Sequence, residues 1–143
     1  MSMRPNISFV TLGVDDLERA TAFYKSLGLT PHARSNEHIT FFDMSGQVFA
    51  LFGRAALASD AQLQDDRSPF GGVTLAHNVC TAEDVTALLE LAVASGGALL
   101  REASEPPWGG LRGYFADPDG HAWEVAWNPG VTIDDDGRAH LPT

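Results

Sequence analysis

The stretch "TFFDMSGQVFALFG" (40–53) lies on "YFADPDGHAWEVAW" (114–127) at a shift of 74, with Asp43 on Asp117 and Gly46 on Gly120. A chain that repeats a hairpin at this distance is built from two copies of one unit. Each hairpin follows the same elements in the same order. "ISFVTLGV" (7–14) alternates loosely and reads as a strand. Asp15 or Asp16 then caps a helix, with Glu18 three residues after Asp15 as in a capping box. Ala20, Phe23, Tyr24 and Leu27 form its apolar stripe, and Gly28 ends it. "HITFFDM" and "QVFALF" follow as a hairpin turning at Ser45-Gly46, and residues 30–36 supply a further short strand.

The second half repeats the order. "VTLAHNV" (73–79) reads as a strand, and Thr81 caps a helix whose stripe is Val85, Leu88, Leu89, Ala92 and Val93. Gly96-Gly97 ends that helix, "ALLR" (98–101) is a strand, and the loop "EASEPPWGG" leads to the second hairpin. Its turn is Asp117-Pro118-Asp119-Gly120, with Pro and Gly where a type I turn prefers them. The first strands align at the smaller shift of 65, which places Phe9 on Thr74. Module 1 therefore spans about 5–53, a linker with a short helix around Ala55–Ala61 spans 54–72, module 2 spans about 73–128, and a tail covers 129–143.

Bulk properties narrow the function. The 143 residues suffice for one compact domain, and their formal charge is −10, with nine scattered Lys and Arg. That disfavours a nucleic-acid partner, whose binding relies on clustered basic residues, and none is expected. No apolar run reaches the roughly 18 residues of a membrane span. "MSMRPNISFV" lacks the apolar region of a signal peptide, and the one cysteine, Cys80, forms no internal disulfide. A cytoplasmic location is the expectation.

The doubled pattern, with "LGVDDLERATAFYKSLGL" in the first half and "GYFADPDGHAWEV" in the second, resembles the vicinal oxygen chelate superfamily. Glyoxalase I, bleomycin-resistance proteins, extradiol dioxygenases and fosfomycin-resistance enzymes belong to that group. The resemblance covers the chain to about Asn128. It implies an α+β fold of two tandem β-α-β-β-β modules whose curved mixed sheets enclose a cleft. It also implies frequent dimerisation, hence a homodimer here.

Enzymes of this superfamily usually hold a divalent metal through His or Glu on the first and last strands of each module. Carried over by position, those sites are Phe9, Ala50, Thr74 and Glu124. Only Glu124 is a ligand type, and a catalytic metal needs about three. His77 and His121 are each an odd spacing from the nearest of these positions, and His32, His38 and His140 lie elsewhere. No metal or other cofactor is therefore expected. Glu124 stands among Trp123, Val125 and Trp127, which alternation places on the other face. It is the best candidate for a catalytic base or a ligand acceptor, against a solvated structural carboxylate.

The same alternation assembles a mostly apolar ligand-binding face with a few polar groups. Its members are Phe9, Thr11, Phe52, Thr74, Asn78, Tyr114 and Glu124, with the loop residue Trp108 over its mouth. Arg112 on the strand side of Tyr114 is a candidate partner for an anion, against a solvated charge of the kind usual near strand edges. The sequence thus points to a metal-independent protein that binds a small molecule. The alternative is a lyase, isomerase or dioxygenase using a metal or Glu124 as base.

Overall fold

A computed structural model describes residues 1–68 and 70–142. The chain forms two compact units, Met1–Arg67 and Ser68–Thr143. The first contains β1 (Phe9–Val14), α1 (Leu17–Ser26), β2 (Ile39–Asp43), β3 (Val48–Gly53) and α2 (Arg54–Asp60). Its sheet runs β1-β3-β2, with β1 parallel and β2 antiparallel to β3. The second contains β4 (Leu75–Asn78), α3 (Ala82–Ala94), β5 (Ala98–Ser104), β6 (Leu111–Ala116) and β7 (Ala122–Trp127). Its sheet runs β4-β7-β6-β5, again with one parallel pair, β4 and β7. A small hairpin, β8 (Thr132–Ile133) and β9 (Ala139–His140), turns the tail back through the Asp134–Gly137 segment. The fold is α+β with mixed sheets, as expected. No described helix is long and apolar enough to cross a membrane.

α1 is amphipathic because Ala20, Phe23 and Tyr24 fall on one face, and all three are buried. Tyr24 packs edge-on against Phe23 and Phe49, with ring centroids 5.0 and 4.9 Å away. Phe42 stacks on Phe49 at 5.7 Å. Burying each such side chain contributes about 1.5–3 kcal/mol. Thr21 and Thr40 satisfy one another across this interface at 2.7 Å. In the second unit, Val85, Leu89 and Ala92 of α3 are buried, as are Phe115 and Val125 of the sheet. Gly113 permits the close approach, since a Cβ there would lie 2.5 Å from Leu89 Cδ1.

Four local expectations are corrected. Asp16 alone caps α1, accepting the Arg19 N–H at 3.0 Å, so Glu18 is not in capping-box register. Residues 30–36 form turns instead of a strand, tied by the His32 N–H to the Phe41 carbonyl and by Ser35 Oγ, which accepts the Phe41 N–H. β4 starts at Leu75, which leaves Thr74 outside it, and β5 runs on to Ser104.

The hairpin repeat also carries a one-residue insertion. Four residues separate the paired ends Asp43 and Val48, but five separate Ala116 and Ala122. In the first hairpin, Ser45 and Gly46 both take positive φ (58° and 109°), the two-residue turn that suits strand twist. In the second, the buried Asp117 carboxylate accepts the Asp119 and His121 N–H groups and holds a wider turn. Strand residues thus shift by one. The repeat mate of Tyr114 is Phe41, which faces Ala50 as Tyr114 faces Glu124, and not Thr40.

Candidate functional site

Residues directly opposite in a β ladder point to the same side of the sheet. Gly113 faces α3, so Phe115, Trp123 and Val125 share the helix side. Phe115 and Trp123 stack there at 6.2 Å. The opposite side, which α3 leaves open, carries Arg112, Tyr114, Glu124 and Ala126, of which Arg112 and Ala126 are buried. β4 adds Ala76 beside Glu124 and Asn78 beside Ala126, and β5 adds Arg101 beside Tyr114 and Ser104 beside Arg112.

Two polar contacts organise this face. The Tyr114 hydroxyl donates to Glu124 Oε2 at 3.2 Å, a long bond for two oxygens. Arg112 Nη1 donates to Ser104 Oγ at 2.7 Å, with the Ser104 carbonyl farther off at 3.4 Å. Desolvation raises the pKa of the Tyr114 phenol, reinforced by the charge of Glu124 and the hydrogen bond to it. Arg112 and Arg101 act in the opposite sense. At neutral pH Tyr114 is therefore a donor, and Glu124 keeps a second carboxylate oxygen for another partner. Small residues surround the pair: Ala76 and Ala126 beside it, and Ala116 and Ala122 one step along the strands. Ala116 and Ala126 are buried, and the pair itself is half-buried.

The other expected residues fall in several places. Thr74 is exposed ahead of β4. Trp108 is half exposed, with its ring edge close over Gly110 in the loop before β6. Phe9, Thr11 and Phe52 belong to the first unit. Phe9 is 55% exposed and meets Phe41 edge-on at 6.4 Å. That pair, with His32, Arg34, Asp43 and Val48, lines a recess of about 300 Å³. Thr11 pairs with the buried Ala50, and Phe52 lines a separate recess with Val14, Asp15 and His38. Within the second unit, the fold brings Tyr114 to Glu124 and places Asn78 on the same side beside Ala126, two residues along β7 from Glu124. The sequence reading missed Ser104 because it ended β5 at residue 101, missed Arg101 because its place beside Tyr114 follows from register shifts in the ladder, and missed the recess residues His32, Arg34 and Asp43.

The metal positions implied by the resemblance do not suit a metal. Phe9 and Ala50 offer no donor atom, Thr74 offers only a hydroxyl, and Glu124 is a lone carboxylate. Among the described residues, no three His, Cys, Asp or Glu side chains cluster as a metal site.

Comparison with known proteins agrees with this architecture. A glyoxalase-related enzyme from Fulvimarina pelagi is 42% identical, with a TM-score of 0.91 over 98% of this chain and 100% of that one. A glyoxalase/bleomycin resistance protein/dioxygenase family enzyme from Burkholderia phytofirmans shares the fold at 20% identity, with a TM-score of 0.74 over 84% and 96% of the two chains. A lactoylglutathione lyase from Agrobacterium tumefaciens does so at 22% identity, with a TM-score of 0.62 over 88% and 96%. No curated protein matches the chain. The family profile of the Glyoxalase/Bleomycin resistance protein/Dioxygenase superfamily matches residues 6–125, and the chain belongs to that superfamily.

Proposed function

We propose that this protein binds a small molecule without a metal, on the open face of β6 and β7, to sequester it or to act on it as a metabolite. The observation that carries this reading is the Tyr114–Glu124 pair among its alanine neighbours. A hydroxyl and a carboxylate anchored in adjacent strands fix a ligand's orientation, and the alanines around them present no bulky side chain against it. The donor set argues against a metal, since Glu124 alone supplies a ligand atom of the usual kind.

Catalysis is the second reading. It is favoured by the 42% identity to a protein described as a glyoxalase-related enzyme. Glu124 would then take a proton from the bound molecule, with Tyr114 steadying the charge.

Metal analysis of protein purified without chelator, combined with a ligand screen on the parent and Glu124→Gln, tests the proposal. The expected result is no stoichiometric transition metal and ligands that bind the variant about tenfold more weakly or worse. One equivalent of zinc, nickel or iron lost in Glu124→Gln refutes metal independence. Ligands that bind the variant unchanged refute the site.

The reading extends to a homodimer in the cytoplasm. Strands β1, β2, β4 and β5 are sheet edges within their units, and unpaired edges call for cover. The lone Cys80 is a free thiol, which suits a reducing compartment. Sedimentation showing only the 15.3 kDa monomer at micromolar concentration refutes the dimer.

A further inference from the structure

We infer that the ligand of this face carries an oxyanion, a carboxylate or a phosphate, held by Arg112 and Arg101 while its hydroxyl or amine meets Glu124. The inference rests on the proposed site and names the chemical class it takes. Arg112 is only 9% exposed, yet among the described residues no carboxylate pairs with it. Its partners are the neutral oxygens of Ser104. A guanidinium buried to this degree normally has its charge matched. Here two neutral contacts on Nη1 leave most of its five N–H groups for another acceptor.

Arg101 supplies a second positive charge on the same face. It is exposed and enters no ion pair among the described residues. The β5–β6 ladder shifts register on both sides of it, between Leu99 and Arg101 and between Arg101 and Ser104. Such irregularities re-aim side chains and recur next to binding sites. The chain has nine Lys and Arg against nineteen Asp and Glu, so its long-range field repels anions. Anion capture therefore needs a local device, and two arginines on one face, with no carboxylate assigned to either, provide it.

The geometry also sets the ligand's span. Arg112 lies opposite Ala126 and Glu124 opposite Tyr114, which makes Arg112 and Glu124 diagonal neighbours on adjacent strands. Diagonal neighbours are about 7–8 Å apart at their bases. The Arg112 guanidinium leans over Ser104 on β5, on the side away from Glu124 on β7, so the ligand spans more than this base distance, as a hydroxy acid, an amino acid or a phosphate ester with its two polar ends set apart does. The planar guanidinium fork reads either oxyanion in bidentate fashion.

The test is a fragment screen by ligand-observed NMR on the full chain. Each probe is a small carboxylate or phosphate ester with a hydroxyl or amine, paired with its neutral amide or alcohol. Anionic probes are expected to bind and their neutral mates not to. Arg101→Gln and the charge-conserving Arg112→Lys are each expected to weaken binding about tenfold. Preference for carboxylates or for phosphates identifies the anion. Three outcomes overturn the inference: neutral mates bind equally well, no anionic probe binds at millimolar concentration, or both arginine variants bind as the parent does. If Glu124→Gln weakens binding while both arginine variants do not, the site stands and the anion assignment falls. If no substitution at Glu124, Arg101 or Arg112 changes binding, both readings fall. Melting curves confirm that each variant is folded, and a merely structural Arg112 would not confer selectivity for anions.

Discussion

Replacing Gly113 by alanine probes how the second unit holds its polar face. Gly113 lies between Arg112 and Tyr114 and points the other way, under α3. A Cβ there would approach Leu89 Cδ1 to 2.5 Å, the Arg101 carbonyl oxygen to 2.8 Å and the Ala103 nitrogen to 3.2 Å. Leu89 can rotate away, but the other two atoms are backbone of β5, and relieving them means moving a strand. Overpacking of this kind costs about 1–3 kcal/mol. Alanine recovers about 0.4–1 kcal/mol by restricting the unfolded chain, since Gly113 has no positive φ to lose. The net lies between about 0 and 2.6 kcal/mol, and because two of the three contacts are with backbone the upper part, about 1–2.6 kcal/mol or roughly 2–10 °C in a chain of this size, is expected. Thermal and urea unfolding followed by circular dichroism measure it, with Gly71→Ala as control because its Cβ would meet nothing within 4 Å. The control is expected to melt with the parent or slightly above it. A Gly113→Ala protein that melts at or above the parent refutes the close-approach argument. Because β5 also carries Arg101 and Ser104, the same variant is expected to weaken ligand binding on the open face.

Asp65 accepts hydrogen bonds from Arg54 at 2.6 and 2.8 Å, and a further one from the Arg67 N–H, which together lower its pKa from 3.8 to about 2. A depressed carboxylate pKa adds stability above pH 3.8 that is lost as pH falls toward 2. Carbon-detected NMR should show that low midpoint, and Arg54→Gln should raise it; a midpoint near 3.8 in the parent contradicts the pairing. Asp16→Ala removes the α1 cap and is expected to cost about 1 kcal/mol in denaturant unfolding, with no change counting against the cap. For Tyr114, pH titration by NMR should give a phenol that ionises above the ordinary range, and Glu124→Gln should bring it partway down, since burial remains. A Tyr114 midpoint that does not respond to Glu124→Gln would show that the two side chains do not interact in solution.

The sequence by itself determined the doubling, the α+β class and the sides of the strands. Those are local or periodic properties: Thr81 caps α3 through the Asp84 N–H, Gly28 and Gly96 take positive φ after their helices, and alternation puts Trp123 and Val125 opposite Glu124. The short helix expected in the connection also forms, as Arg54–Asp60. What the tertiary structure decided is how strands lie against one another. The extra residue in the 117–121 turn moves every partner of β6 by one, so Tyr114 meets Glu124 and corresponds to Phe41. Matching letters without a gap cannot reveal this, because turn length is set by hydrogen bonds such as those of the Asp117 carboxylate. The irregular β5–β6 ladder likewise brings Ser104 to Arg112 and Arg101 to Tyr114. Ladder register depends on packing across the sheet and leaves no period in the chain. Hence the fold was legible from one strand at a time, whereas the arginine pair and its neutral partner emerged only once neighbouring strands were in place.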